Sequence, residues 1–162
     1  MPAIERSILV EAPIDEVFAF VADYRNTTMY QRQFSHFAPI IDSPTHGLGM
    51  TLDVRGRFKG LPIRAKLRVT DFVPNELILS RSIEGLESTA EWRFAPEGGG
   101  TRVTFAARYA WPIPILGRTL RKMLEAELAS MTTTSLRELK RLVEATQSVR
   151  RQPSAEGSLD SD

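Results

Sequence analysis

The sequence lacks cysteine, and no apolar run in it approaches the length of a membrane span. The absence of cysteine excludes disulfides and cysteine-ligated zinc sites. A chain of 162 residues can fold without them, because folding at this size removes roughly 68–70% of the unfolded surface from water. The N-terminal residues MPAIE also lack the basic and apolar regions of a signal peptide. We therefore expect a single soluble domain in the cytoplasm.

The sequence also lacks an excess of either charge. Lysine and arginine number 21, aspartate and glutamate number 20, and the net charge is +1. This balance gives no overall attraction to nucleic acid, so we predict no nucleic-acid partner. The two histidines, His36 and His46, lie in different segments without the spacing of metal ligands. We therefore predict no metal site and no cofactor.

The chain is built mainly from short segments in which apolar and polar residues alternate, a pattern that predicts strands. These segments are 4–11, 37–42, 50–58, 63–70, 77–85, 87–95 and 103–111. A short helix is predicted at 13–23, and a second short helix or turn at 24–34. Apolar residues at helical spacing predict one long helix from Leu116 to about Thr146. Residues 1–147 are predicted to form the single domain, and residues 148–162 a disordered tail.

One helix cannot cover a flat sheet of this size. A helix is about 10 Å across, whereas about seven strands span roughly 30 Å. Tight turns join neighbouring strands, and such turns require antiparallel pairing. We therefore predict an α+β helix-grip fold, in which a curved antiparallel sheet wraps around the long C-terminal helix. This arrangement encloses an apolar space, and an enclosed apolar space is usually a ligand site.

Three segments carry a resemblance to a known superfamily. They are residues 8–23 (ILVEAPIDEVFAFVAD), residues 69–76 (VTDFVPNE) and residues 117–140. On these segments the chain resembles the START/Bet v 1-like (SRPBCC) superfamily, and within it the polyketide cyclase/dehydrase and coenzyme Q-binding-like members. The resemblance implies binding of a hydrophobic small molecule such as a lipid, an isoprenoid quinone or a polyketide-like compound. The alternative that it implies is a cofactor-free cyclase, dehydratase or aromatase using the same cavity.

The candidate ligand-binding residues are large side chains on faces predicted to point inward. They are Phe58, Trp92, Tyr109 and Trp111 on strands, and Leu124 and Met131 on the apolar stripe of the long helix. A buried tryptophan or tyrosine needs a partner for its polar group. A cavity wall offers both apolar area and such partners, so we predict that these residues line the cavity. The alternative is that they only fill the core.

Arg81, Tyr109 and Glu127 are the candidates for catalysis. A cyclase needs a proton donor, a proton acceptor and a group that stabilises an enolate. Arg81 faces inward if the odd-numbered residues of its strand are buried, and outward in the opposite register. Glu127 is either a solvated residue or a carboxylate at the cavity edge. Two or more ionisable groups inside the cavity would favour catalysis, and one or none would favour carriage.

Two groups of basic residues suggest further partners. The first lies on the outer face of the predicted strands 50–58 and 63–70. It is either a solvated exterior or a docking surface for an acidic partner, which would make the protein a partner-binding module. The second group, Arg118, Arg121 and Lys122, follows the apolar Ile113 and Ile115 and suggests peripheral membrane contact. The sequence leaves the oligomeric state open.

Overall fold

The computed structural model describes residues 3–110 and 117–151 of the chain. Within these ranges three helices and seven strands follow one another: β1 (Ala3–Val10), α1 (Ile14–Ala22), α2 (Tyr24–Tyr30), β2 (Phe34–Pro39), β3 (Thr51–Phe58), β4 (Leu61–Val73), β5 (Leu77–Gly85), β6 (Ser88–Glu97), β7 (Gly100–Tyr109) and α3 (Arg118–Arg151). The strands form one curled antiparallel sheet in the order β1-β7-β6-β5-β4-β3-β2. This architecture confirms the predicted helix-grip fold.

Helix α1 is anchored to the sheet by aromatic contacts. It begins directly after Pro13, and its residues Val17 and Phe18 are buried. The Phe18 ring meets the ring of Phe72 edge-on at 5.3 Å between centroids, and the ring of Phe94 at 5.1 Å. Each such pair contributes about 0.5–1.5 kcal/mol beyond the burial of its area. These contacts to β4 and β6 fix the point at which α2 begins.

Irregular pairing between β4 and β5 bends the sheet. The register shifts between Lys66 and Leu67 and again after Val69. Such bulges increase the local twist of a strand. Gly85 has a φ of 81°, and a Cβ atom at this position would lie 2.3 Å from the carbonyl oxygen of Arg64. Only glycine allows the two strands to approach this closely, so Gly85 supports the curl of the sheet.

The turn after α2 is pressed onto β3. Helix α2 ends at Tyr30, and β2 begins at Phe34, so the helix is shorter and the strand starts earlier than predicted. A Cβ atom on Gly56 would lie 2.1 Å from the carbonyl oxygen of Gln33. The same oxygen accepts a hydrogen bond from a main-chain N–H of β3 at 3.0 Å. This contact places Gln31 against the concave face of the sheet.

Helix α3 packs against β1, with α1 and α2 beside it. Leu139 is completely buried in the core that these elements share. The Nζ atom of Lys140 donates a hydrogen bond to the carbonyl oxygen of Leu9 at 2.9 Å. The Glu144 carboxylate accepts one from the main-chain N–H of Glu11 at 2.9 Å. These two bonds fix α3 to the end of β1.

The C-terminal end of α3 lies beyond the predicted one. The helix runs to Arg151, so residues 148–151 are helical although the sequence predicted disorder for them. Side-chain contacts from α1 hold this part of the helix, because the Glu16 carboxylate bonds to both Gln147 and Arg150. The prediction of disorder rested on local composition, which does not reveal a contact with a residue distant in the chain.

A small second core lies between the first part of α3 and the turn that joins β3 to β4. It consists of Ile4, Phe58 and Leu128, against which Ile63, Tyr109, Leu124 and Met131 pack. These residues close the side of the fold away from α2.

Candidate ligand-binding site

Two neighbouring cavities lie on the concave face of the sheet. The helix-side cavity is bounded by α1, α2 and β2 to β6, with Tyr24, Thr27, Tyr30, Met50, Phe72 and Ile78 among its lining residues. The strand-side cavity is bounded by β2 to β7, with Val54, Leu67, Leu86, Ser88, Phe105 and Tyr109 among its lining residues. Four residues line both cavities and are called the partition below: Gln31, Phe37, Ser80 and Trp92.

Each cavity is small in this conformation. The volume that the centre of a water molecule can occupy is about 50 Å³ in the helix-side cavity and about 70 Å³ in the strand-side cavity. Sites for drug-sized ligands have roughly 300–1,000 Å³. The two cavities therefore have room for a few water molecules, and a larger ligand requires a side chain between them to move.

Gln31 is held in the partition by its main chain. Its N–H donates to the carbonyl oxygen of Thr27 at 2.8 Å, and its carbonyl oxygen accepts from the N–H of Phe34 at 3.1 Å. Only 8% of the residue is exposed. Its side-chain amide makes no hydrogen bond to any residue in the described ranges. Gln31 lines both cavities, so this donor and acceptor are open toward them.

Trp92 is the largest side chain of the partition. Its ring lies 4.5 Å from that of Phe105 and 6.0 Å from that of Tyr30, between centroids. The indole N–H makes no hydrogen bond within residues 3–110 and 117–151. The neighbouring Ser80 hydroxyl donates to the carbonyl oxygen of Ala90 at 3.5 Å. The partition thus combines apolar area with polar groups that lack a protein partner.

Two buried tyrosines add phenol groups to the walls. Burial raises the pKa of Tyr30 above its ordinary value, and the Thr27 hydroxyl acts against this shift. Burial also raises the pKa of Tyr109 to about 12. Both phenols are therefore protonated at neutral pH. Neither phenol can serve as a base at this pH.

No charged side chain is among the described residues that line either cavity. Tyrosine is the only ionisable residue type in these linings. A charged ligand group would enter these walls without an opposite charge to pair with, which is costly in an apolar environment. The walls therefore favour a neutral ligand.

Comparison with protein families agrees with this geometry. Residues 1–144 match the family model described as polyketide cyclase/dehydrase and lipid transport. The chain belongs to this family. Its membership confirms the resemblance predicted from the sequence. No curated protein matches the chain in sequence.

Several solved structures share the fold of this chain. TTHA0849 from Thermus thermophilus is 22% identical with a TM-score of 0.78, and the match covers 90% of this chain and 99% of that one. A START superfamily protein from Mycobacterium smegmatis is 14% identical with a TM-score of 0.71, covering 89% and 98%. DynU16, a protein in the dynemicin biosynthetic locus, is 20% identical with a TM-score of 0.62, covering 89% and 48%. At these identities the likeness shows the fold alone.

The ligand-binding residues predicted from the sequence fall into two groups. Trp92 lines both cavities, and Tyr109 lines the strand-side cavity. Phe58, Leu124 and Met131 belong to the second core instead and line neither cavity. Trp111 lies outside the described residues.

The helix-side cavity lies against α2, and the strand-side cavity is bounded by strands and by Gln31. The sequence predicted a cavity between the sheet and the C-terminal helix, but no α3 residue in the described range 118–151 lines either of these two cavities. The inward residues Leu136 and Leu139 of α3 pack in the main core.

Arg81 lies on the convex face of the sheet. It is exposed, and its Cα partner on β4 is Arg68. Ile78 and Ser80 of the same strand face the cavities. The inward alternative for Arg81 is therefore wrong, because its burial would have cost the hydration of an unpaired guanidinium. Arg81 does not line either cavity.

Glu127 lies at the surface of α3. One of its carboxylate oxygens, Oε1, lies 3.0 Å from Nζ of Lys59, and about half of each side chain is exposed. Two roles were predicted for Glu127, and its position fits that of a solvated residue. Glu127 lines neither cavity. The pair joins the β3–β4 turn to the first half of α3.

Gln31, Ser80 and Tyr30 line the site but were not predicted from the sequence. The sequence could have indicated Ser80, because two serines on one face of an otherwise apolar strand suggest a polar cavity wall. It could not have indicated Gln31, since the position of Gln31 depends on the close approach of Gln33 to Gly56. Tyr30 lies in a segment predicted only as a short helix or turn, so its inward direction was not visible.

The two basic groups lie outside the cavities. Part of the basic group on the convex face is neutralised, since Arg55 pairs with Asp53 at 2.9 Å. At the start of α3, Leu120 and Met123 are exposed, and peripheral membrane contact there stays a prediction.

None of the helices α1 to α3 is both long and apolar enough to cross a membrane. In residues 3–110 and 117–151 no three His, Cys, Asp or Glu side chains are arranged to hold a metal ion.

Proposed function

We propose that this protein binds a neutral hydrophobic or aromatic small molecule on the concave face of its sheet, and that it carries this molecule rather than transforms it. The absence of charged side chains among the described lining residues carries the proposal. Membership of a family of polyketide cyclase/dehydrase and lipid transport proteins supports it. A lipid, an isoprenoid quinone and a polyketide-like compound all fit this class of ligand.

The ligand spans both cavities after an aromatic ring of the partition moves aside, while Gln31 stays in place. Neither volume alone accepts a molecule larger than a few waters. Phe37 and Trp92 contribute the bulk of the partition, so at least one of these rings has to move when a ligand joins the two cavities. Ligand binding is therefore expected to change the environment of the Trp92 indole.

Catalysis by the same cavity is the second candidate. The family description includes cyclases and dehydrases. Such a reaction needs a proton acceptor as well as a donor. Tyr30 and Tyr109 cannot be that acceptor at neutral pH, because their pKa values are raised. Carriage is favoured for this reason.

Two measurements test the proposal. Native mass spectrometry of the purified protein, followed by denaturing extraction, is expected to reveal a neutral bound molecule in a one-to-one ratio. Fluorescence of Trp111→Phe, in which Trp92 is the sole tryptophan, is expected to change on titration with tetralin, a neutral bicyclic hydrocarbon. A protein that releases nothing and whose Trp92 emission ignores tetralin would not be a carrier of this kind. Turnover of a polyketide-like substrate would favour the enzyme instead.

A further inference from the structure

We infer that the partition recognises a keto oxygen of the ligand through the side-chain amide of Gln31 and the indole N–H of Trp92; this inference rests on the proposed function. It assigns a hydrogen-bonding subsite to the place where the two cavities meet. The ligand class that it implies is a neutral aromatic ketone or quinone with its oxygen between two apolar parts.

Gln31 places a polar side chain at a mostly buried position between the cavities. The residue is 8% exposed and lines both cavities, and its amide makes no hydrogen bond within the described ranges. The amide is therefore open toward the cavities, where a ligand can take up its hydrogen bonds in place of water.

The polar groups of the partition are mainly donors. The indole nitrogen of Trp92 can only donate, and the Gln31 amide has two N–H donors and one acceptor. The Ser80 hydroxyl already directs its proton to the carbonyl oxygen of Ala90. A ligand group that accepts hydrogen bonds matches this set. A carbonyl oxygen has two lone pairs and can accept from both side chains.

The position of these donors sets the place of the oxygen in the ligand. Gln31 and Trp92 line both cavities, so an oxygen bound to them sits where the cavities meet. Apolar walls extend to each side, with Phe72 and Ile78 in one cavity and Phe105 in the other. The absence of a cation from the described lining argues against a carboxylate in the same place.

Isothermal titration with tetralin and 1-tetralone tests the inference, because these bicyclic molecules differ by one keto oxygen. The wild-type protein should bind 1-tetralone roughly three- to tenfold more tightly than tetralin, as expected for one or two added hydrogen bonds. In Gln31→Leu this preference should fall, because only the Trp92 indole N–H is left to donate to the keto oxygen. Gln33→Leu is the matched control, since it makes the same change two residues away outside both linings and should keep the preference.

The infrared carbonyl stretch of bound 1-tetralone supplies a second readout. Hydrogen bonding should shift it to lower frequency in the wild-type protein, and Gln31→Leu and Trp92→Phe should each reduce the shift. Equal affinity for both molecules, or no shift on binding, overturns the inference and leaves the proposed function standing. Failure of both molecules to bind the wild-type protein overturns the proposed function and the inference with it. Thermal unfolding without ligand should show Gln31→Leu to be at least as stable as wild type, and a clear loss would mean that the amide has a structural role instead.

Discussion

The rings of Tyr30 and Trp92 meet edge-to-face, with centroids 6.0 Å apart and planes at 89°. The pair joins α2 to β6 across the partition, so the helix is held over the sheet by the same side chain that separates the two cavities. The neighbouring ring of Phe105, 4.5 Å from Trp92, extends this contact to β7. Stability and ligand access therefore depend on one tryptophan.

Replacing Trp92 should destabilise the protein strongly. Trp92→Ala is expected to lower the free energy of unfolding by about 3–5 kcal/mol, because it removes a buried aromatic side chain and enlarges the cavities. Trp92→Phe should cost less, since it keeps a ring against Tyr30 and Phe105. Urea unfolding at neutral pH measures both. A loss below about 1 kcal/mol for the alanine variant would show that the ring is not packed as described.

Removing the Lys59–Glu127 pair should have little effect. About half of each side chain is exposed, and exposed ion pairs contribute about 0.2–1 kcal/mol. Glu127→Gln, Lys59→Met and the double variant form a cycle whose coupling energy, measured by urea unfolding, should stay below about 1 kcal/mol. Tetralin binding by Glu127→Gln should match that of wild type. A large loss of binding would contradict the surface position of Glu127.

Tyr109 should make stability fall at high pH. Its pKa is raised to about 12 in the folded protein, against about 10 in an unfolded chain. A raised pKa means that the contribution to stability is complete below about pH 10 and is lost as the pH rises toward about 12. Between about pH 9 and about pH 11 the free energy of unfolding of wild type should therefore fall more than that of Tyr109→Phe. Equal slopes in urea unfolding across this range would disprove the shift.

Arg150 should hold the last turn of α3 without affecting the rest of the fold. Its guanidinium pairs with Glu16 of α1, so Arg150→Ala should speed amide hydrogen exchange in residues 148–151. Because the pair is exposed, global stability should change by less than about 1 kcal/mol. Arg141→Ala is the control, since its partner Glu138 lies within α3 itself. Unchanged exchange at the helix end in Arg150→Ala would show that the helix continues there on its own.

Prediction from the sequence succeeded where one face of a strand was clearly apolar. Trp92 and Phe94 on β6 and Val103 and Phe105 on β7 alternate with polar residues, and all four are buried. The sequence did not decide which face of β5 points inward, because both faces of this strand carry apolar residues. The Arg81 side chain stayed in solvent because a charge is costly to bury, and this placed Ser80 in the cavity wall.

The sequence by itself determined the order of elements, the antiparallel sheet and the inward faces of β6 and β7, because these follow from local periodicity and tight turns. Only the tertiary structure decided which residues meet. Gln31 reaches the partition because Gly56 admits the carbonyl oxygen of Gln33, and α3 continues to Arg151 where Glu16 meets it. Both features depend on contacts between residues that are distant in the chain. These contacts stabilise the protein only after the elements have packed together.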